Sequence, residues 1–380
     1  FLGRLLARHR GVGWLERRLG AAVARLPETA HYRDLFAQVR PDIVVSSNQR
    51  PYGILPAVLA AQSLGIPTAT CIFSWDNLTC KGRIAAPFDH YFVWSALMAR
   101  ELLQYYPHIP RERVHIVGAL QFDPYADRAT IVPRERFFAA IGADPDRPLI
   151  CYSSGEPSIA PEDQGHVALL LTLIRNGRIA GRPQVVLRPT PTADARRFEE
   201  VRRRFPELIY AQPEWVSGGA GDWSRKLPCP GDVAFLTNLA HHADLNINVA
   251  STMTLDFAIH DRPVVNVAFD LADPPPFGLP LWDYYYRFEH YQPVVETGAA
   301  LFSRSVDEFV EHINRCLAYP QLHEANRRRL VELELGAPVG QAAGRLLEAM
   351  AWIADARPGA AAAPSGAEMW EPLAAGCSGS

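Results

Sequence analysis

The sequence predicts an α/β protein of two domains, each a parallel sheet buried by helices on both faces. Length is the first reason, because 380 residues suffice for two domains of ordinary size. The second is that short strand-like apolar runs alternate with helical patterns through both halves of the chain, the pattern of βα units. The third is the stretch from Asp244 to Asp270, which reads as strand, tight turn, helix and strand. Leu245, Ile247 and Val249 alternate with Asn246 and Asn248, as in a short strand. Ser251 and Thr252 are good N-caps for a helix over 253–260, Pro263 stops it, and 264–268 forms the next strand. Two hydroxyls and unpaired backbone N–H groups then gather at a helix start, which suits an anion. The plain alternative is an ordinary capped helix in a βαβ unit.

Composition narrows the function classes. With 48% hydrophobic and 21% charged residues and a net charge of −3, the chain reads as globular, with no reason to expect nucleic acid as partner. Lys81 and Lys226 are the only lysines. The cysteines at 71, 80, 151, 229, 316 and 377 form no CxxC pair, so reduced thiols in a cytoplasmic protein are expected. No apolar run reaches the length of a membrane span.

Taken in order, residues 1–38 carry Arg4, Arg8, Arg10, Arg17, Arg18 and Arg25 among Leu, Val and Trp at helical spacing. Such a helix either covers its own domain or makes peripheral contact with the inner face of a membrane. A buried strand at 41–48 ending in a polar loop follows, then a helix over 53–64 closed by Gly65 and a strand at 67–73. Next come a strand at 88–94, a helix over 95–106 and a strand at 114–117 ending at Gly118. The chain begins at Phe1, and the first βα units of a complete domain are not found, so this domain is expected to be truncated at its start. Residues 124–148 read as a weakly patterned connection, which puts the domains at 1–146 and 147–356.

The second domain should contain strands at 149–153, 184–188 and 208–211, with helices over 163–176, 193–205 and 232–242. Residues 213–231 and 270–292 read as loops, the latter aromatic and long enough to be functional. Ser305-Val306-Asp307-Glu308 is a capping box, further helices cover 321–335 and 339–355, and 357–380 has the composition of a disordered tail.

Several ordered runs carry a resemblance. Asp244-Leu245-x-Ile247-Asn248-x-x-Ser251-Thr252-x-x-x-Asp256, Arg262-Pro263-Val264-Val265 and Phe269-Asp270 resemble bacterial CDP-glycerol glycerophosphotransferases. They are more similar still to bacterial surface-polysaccharide glycosyltransferases of the same GT-B superfamily. Phe288-Glu289-His290-Tyr291 and Pro293-Val294-Val295-Glu296-Thr297-Gly298 continue the similarity. So do Ser74-Trp75-Asp76-Asn77-Leu78-Thr79-Cys80-Lys81-Gly82, Asp89-His90-Tyr91-Phe92-Val93-Trp94-Ser95 and Val117-Gly118-x-x-x-Phe122-Asp123. The resemblance covers roughly residues 41–350, and the order of the motifs is the stronger signal.

That resemblance implies two Rossmann-like domains facing one cleft, and a nucleotide-activated sugar as donor substrate with no further cofactor. In the second domain Ser251 and Thr252 would hold the donor diphosphate, and Asp256 would approach its hydroxyls. Ser153, Ser154 and Gly155 would form a second phosphate-facing turn, and Arg188 would meet a phosphate. In the first domain Asp76 would deprotonate the acceptor hydroxyl, since a carboxylate on a loop facing a cleft can have its pKa raised into the useful range. The plain alternative is a structural loop in which Asp76 and Asn77 cap backbone groups. Lys81 would meet a phosphate or an acidic acceptor, and Trp75 would serve as a sugar platform. Asn77, Glu289 and His290 would line the acceptor side; the acceptor itself would be a cell-surface glycan or a lipid-linked one. Where related transferases carry His-Pro, this chain has Thr190 in Arg188-Pro189-Thr190-Pro191, and a threonine is no general base.

No metal is expected. Asp144-Pro145-Asp146 matches a DxD spacing but sits in a proline turn, and His241 and His242 are adjacent on a helix and face different ways. His90 reads as a core histidine. A glycerophosphotransferase, a sugar-nucleotide 2-epimerase of the same architecture and a non-catalytic binding module remain open beside the glycosyltransferase.

Overall fold

The structure, a computed structural model, describes residues 9–191, 194–217, 226–336 and 338–355. The expected tail at 357–380, and Arg4 and Arg8 at the start, lie outside the described residues. The chain forms two compact units. The first holds residues 1–119, 334–336 and 341–380; the second holds 120–333 and 337–340.

In the first unit β1 (Val44–Ser46), β2 (Thr68–Cys71), β3 (His90–Val93) and β4 (Val114–Ile116) form an all-parallel sheet in the order β1-β2-β3-β4. Ser95 caps the helix Ala96–Tyr105 through its Oγ, 3.3 Å from the Met98 N–H. One face of the sheet packs Ala69, Phe92 and Val117 against Ile353 of the helix Ala342–Asp355, with Leu346, Met350 and Trp352 alongside. That helix comes so close that Gly118, just past β4, has no room for a side chain. Its φ is +94°, and a Cβ there would sit 2.6 Å from Arg345 Nη2 and 3.1 Å from Ala342 Cβ. Arg345 Nε donates to the Val117 carbonyl at 2.9 Å, fixing the same corner.

The second unit has a six-stranded parallel sheet. Its strands are β5 (Leu149–Ser153), β6 (Gln184–Arg188) and β7 (Ile209–Tyr210), then β10 (Leu245–Asn248), β11 (Val264–Val267) and β12 (Leu301–Ser303). Between them β8 (Trp215–Ser217) and β9 (Lys226–Pro228) form an antiparallel ribbon within what reads in sequence as a loop. The sheet order is β12-β11-β10-β5-β6-β7. The chain therefore builds outward from β5 in one direction, returns through the helix Pro230–His242, and builds outward from β10 in the other. Ile150, Tyr152, Leu187, Leu245, Ile247, Val265 and Val267 fill the apolar core on one face.

Residues 124–148, read from sequence as a connection, are mostly helical: Asp123–Ala126 and Arg134–Ile141 are α-helices. Proline masked this, because Pro124 and Pro133 stand at helix starts, where a missing N–H costs nothing. Pro280 does the same for the helix Leu281–Tyr285 inside the expected aromatic loop. The capping box is present with a shift: Ser305 Oγ accepts from Glu308 N, while Glu308 reaches back to the N–H of Arg304.

Gly118→Ala should lower the stability of the first unit by about 1–3 kcal/mol, from the strained φ and the displaced helix. Urea unfolding together with limited proteolysis within 342–355 measures it; an unchanged midpoint would mean the helix does not depend on this contact.

Candidate functional site

The reversal of strand order between β5 and β10 marks the point in a doubly wound sheet where ligands gather, beyond the carboxyl ends of the strands. The turn after β5 contains Ser154 and Gly155, and the turn after β10 contains Ala250, Ser251 and Thr252. Sequence reading predicted all of these except Ala250.

The turn after β10 is held from below by a chain of buried amides and hydroxyls. Asn248, fully buried, accepts the Ser251 N–H through Oδ1 at 3.0 Å. Its Nδ2 donates to Asn246 Oδ1 at 2.7 Å and to Thr254 Oγ1 at 3.2 Å. Thr254 pairs with the Tyr291 hydroxyl at 2.9 Å, and Tyr291 donates to Asn266 Oδ1 at 2.7 Å. Asn246 Nδ2 donates to Ser153 Oγ at 2.8 Å and to the Cys151 carbonyl at 3.2 Å. Every hydrogen-bonding atom of the Asn248 carboxamide is thus used, which is what a buried amide requires.

From above, the Tyr286 hydroxyl accepts the Ala250 N–H at 3.2 Å and donates to the Val267 carbonyl at 2.7 Å. Ala250 has φ +42°, in the left-handed region that a residue with a Cβ adopts only when its surroundings enforce it. The strained turn presents Ser251 and Thr252, both partly exposed. Ser251 Oγ accepts from Met253 N at 3.3 Å, whereas Thr252, expected as a second cap, makes no side-chain cap bond.

Across the switch point, Asp163 and Arg197 hold the other turn. Asp163 accepts from Gly155 N at 2.8 Å and from the Tyr152 hydroxyl at 2.6 Å. Arg197 donates to the carbonyls of Gly155 and Ala160. Burial pushes the Asp163 carboxyl up to about 6, against the lowering by Tyr152, Arg197 and Gly155. Ser154 Oγ is buried and has no hydrogen-bond partner among the described residues. Thr190, which stands where the resembled transferases carry a histidine, donates to Glu156 at 3.0 Å.

Three predicted donor contacts are corrected by their surroundings. Ser153 is 1% exposed, with its Oγ taken by Asn246 inside the sheet. Arg188 is 6% exposed and forks onto both oxygens of Asp232 at 2.7 Å, so its charge is already balanced. Asp256 is buried and accepts the Tyr125 hydroxyl. With that partner and so little exposed surface, its carboxylate is committed within the protein. Burial pushes its carboxyl up to about 6, offset by Tyr125 and a backbone donor, and raises the Tyr125 phenol far above its ordinary value. Beside the Arg188–Asp232 pair, a cavity of about 350 Å³ is lined by Ile141, Tyr210, Gln212, Glu214 and Phe235.

In the first unit Asp76 and Lys81 do come together, with Lys81 Nζ 3.2 Å from Asp76 Oδ2. Asn77 donates to Asp76 Oδ1 at 2.8 Å and accepts from Gln49 Nε2 at 2.8 Å; Gln49 in turn accepts the Phe73 N–H. The expected rise in the Asp76 pKa is corrected. Burial alone would push it up, but the Lys81 charge and donors from Ser74 and Asn77 outweigh burial and hold it below its ordinary value. Asp76 is therefore an ionised carboxylate at neutral pH and a weak base. Two neighbours are corrected as well. Trp75 is 3% exposed and offers no open face as a platform, and Asn77, also 3% exposed, is committed to Gln49 and Asp76.

Glu289 is exposed and His290 half-buried on the turn Glu289–Tyr291, with the His290 ring stacked on Phe288. His90 pairs with His115 at 3.0 Å on the first sheet. His241 meets His260 at 3.4 Å, and its ring also lies edge-to-face against His242, with centroids 4.8 Å apart, against the expectation that the two neighbours face different ways. Asp144 closes an Asx turn onto Asp146 N. Among the described residues no group of three or more His, Cys, Asp or Glu is placed to hold a metal ion.

The residues sequence reading missed are the supports: Asn248, Tyr286, Tyr291, Tyr125, Asp163, Arg197 and Gln49. The signal for Asn248 was present, since two asparagines alternating with Leu, Ile and Val in a strand at the centre of a sheet must be buried too.

No protein-family model matches the chain, and no curated protein matches it in sequence. Solved structures do. A Listeria monocytogenes protein assigned as a UDP-N-acetylglucosamine 2-epimerase superposes with a TM-score of 0.56 at 13% identity, covering 87% of this chain and 80% of its own. The UDP-GlcNAc 2-epimerase of Neisseria meningitidis, solved with UDP-GlcNAc, gives 0.55 at 13%, covering 85% and 80%. A glycosyltransferase from Rickettsia africae gives 0.51 at 12%, covering 88% and 84%. The chain therefore has the GT-B fold of two Rossmann-like domains.

Replacing Asp256 by Asn should alter the pH dependence of stability in a defined direction. The folded carboxyl has a pKa near 6, above the ordinary 3.8, so the folded state takes up the proton first. Wild type should thus gain stability relative to Asp256→Asn as pH falls from above 6 toward 3.8 and hold the gain below. Denaturation midpoints across that range measure it; parallel curves would show that Asp256 titrates as it does in the unfolded chain.

Proposed function

We propose that this chain processes a nucleotide-activated sugar, as a metal-independent glycosyltransferase acting on a hydroxyl of a cell-surface glycan or lipid-linked acceptor. The observation that carries this reading is the switch point itself. Two turns at the carboxyl ends of β5 and β10 are fixed by buried networks, one with a strained backbone and the other with an unpartnered buried hydroxyl on Ser154. An unpaired buried polar atom costs about 1–3 kcal/mol, which a ligand oxygen accepting from Ser154 would relieve. Ser251 and Thr252 face the donor diphosphate from the other turn, and fixed donors of this kind stabilise charge that develops on a leaving group. The cavity lined by Tyr210 and Phe235 has the size and the aromatic walls for part of a nucleotide. That the superposed Neisseria protein was solved with UDP-GlcNAc supports the donor class.

In the transfer, the acceptor oxygen bonds to the sugar's anomeric carbon as the bond to the diphosphate oxygen breaks. The electron pair leaves with the nucleoside diphosphate, and the hydroxyl proton passes to Asp76. Lys81 holds that carboxylate in place. Because Asp76 is a weak base, it takes the proton late, once the acceptor oxygen has become acidic through bond formation. Asp256, Arg188 and Ser153 act as positioning residues beneath the site. A second reading, a sugar-nucleotide 2-epimerase, is favoured by the two superposed proteins with TM-scores of 0.56 and 0.55.

Product analysis with UDP-, GDP- and CDP-sugars and CDP-glycerol, with and without acceptor, separates these readings. The expected outcome is donor consumption that needs an acceptor, reduced on the order of a hundredfold or more by Asp76→Asn and about tenfold in kcat/KM by Ser251→Ala. Acceptor-independent interconversion of sugar epimers would establish the epimerase instead. CDP-glycerol as sole donor would point to glycerophosphate transfer, and turnover of no donor would leave a binding module.

A further inference from the structure

The first helix of the first unit, His9–Val23, is amphipathic in an inverted sense. Its residues 14–19, 21 and 22 are all exposed, while Gly13, Gly20 and Val23 are half-buried. Three of the exposed residues are large and apolar: Trp14 at 46%, Leu15 at 44% and Leu19 at 52%. At about 100° per residue, Trp14, Arg18, Ala22, Leu15 and Leu19 fall within an arc of roughly 140°. Glu16 lies on the other side, where it pairs with Arg83 of the same unit at 2.8 Å. Both partners of that ion pair are exposed, and it ties one edge of the helix to Arg83 while the Trp-Leu stripe stays uncovered. Leu26, past the helix end, is exposed as well.

The charges around this stripe are mainly basic, the one acidic residue of the helix, Glu16, being paired with Arg83. Arg18 lies over the Trp14 ring, 5.2 Å from its centroid, and Arg17 and Arg25 flank the stripe, all exposed. Among the described residues no carboxylate forms an ion pair with Arg17, Arg18 or Arg25. On a chain whose net charge is −3, this concentrates positive charge around an uncovered apolar face. Trp and Leu on one face, with Arg beside them, match the chemistry of the boundary between anionic headgroups and acyl chains. A second copy of the same face would bring Arg17, Arg18 and Arg25 against their own likes, which disfavours self-association.

We propose that the helix His9–Val23 docks the first unit onto an anionic lipid surface, Trp14, Leu15 and Leu19 entering the headgroup boundary while Arg17, Arg18 and Arg25 contact lipid phosphates. The docking is independent of the chemistry proposed for the second unit, and it holds the chain where a lipid-linked acceptor would lie.

Sedimentation of the full chain with vesicles tests it, comparing equal parts phosphatidylglycerol and phosphatidylcholine with phosphatidylcholine alone. The chain should pellet with the anionic vesicles and stay in solution with the neutral ones, and added salt should release it. Leu15→Glu with Leu19→Glu should weaken binding on the order of tenfold or more, through loss of apolar burial. Arg17→Glu with Arg18→Glu should do the same through charge. All four positions are exposed, so melting temperatures should not move, which separates lost docking from misfolding. Wild type remaining soluble with anionic vesicles would overturn the proposal, as would equal binding to neutral ones or undiminished binding by both variants. A dimer abolished by Leu15→Glu with Leu19→Glu, with no vesicle binding, would assign the face to a second copy.

Discussion

The Asn248 carboxamide is the constraint on which the proposed donor side depends. It sits on the strand beside the switch point, without access to water, so all its hydrogen bonds must be made within the protein. Making them fixes four things at once: the Ser251 backbone, Asn246 and through it Ser153 on β5, Thr254 in the next helix, and Tyr291 beyond it. One face of the second sheet is therefore a buried polar lattice, while the other is an ordinary apolar core. A lattice of this kind tolerates no slippage, because shifting β10 by one residue would bury unpaired amides and turn Ile247 into them. The rigidity lets Ala250 be held in a left-handed conformation above it.

The same lattice explains why several residues with attractive chemistry are supports. Arg188, Asp256 and Ser153 each carry a group suited to a phosphate or a sugar hydroxyl, but each already has a buried partner in Asp232, Tyr125 or Asn246. Their charge and hydrogen bonding set the turns in place. In the proposed function, what the turns offer the donor is the hydroxyls of Ser154, Ser251 and Thr252.

Most of the secondary structure was legible in the sequence, because strands such as 149–153 and helices such as 306–318 carry both periodicity and caps. The helices opened by Pro124, Pro133 and Pro280 were not, since a proline at a helix start looks locally like a turn. Nothing in the pattern of 342–355 says which sheet it covers; that depends on Gly118 leaving room for it. In the site, residue types were readable but directions were not. Trp75 and Asn77 sit in a loop that looks exposed, yet Gln49, distant in sequence, folds that loop inward. The pKa of Asp76 followed the same rule, set by Lys81 and local donors against the rise that burial would give.

The most direct test of the account is calorimetric titration of the full chain with nucleoside diphosphates, repeated with Ser154→Ala and Ser251→Ala. The account predicts saturable binding to a single site, weakened on the order of tenfold in either variant, as for loss of one hydrogen bond to a charged group. Absence of binding to any nucleoside diphosphate, or equal affinity in wild type and both variants, would contradict it.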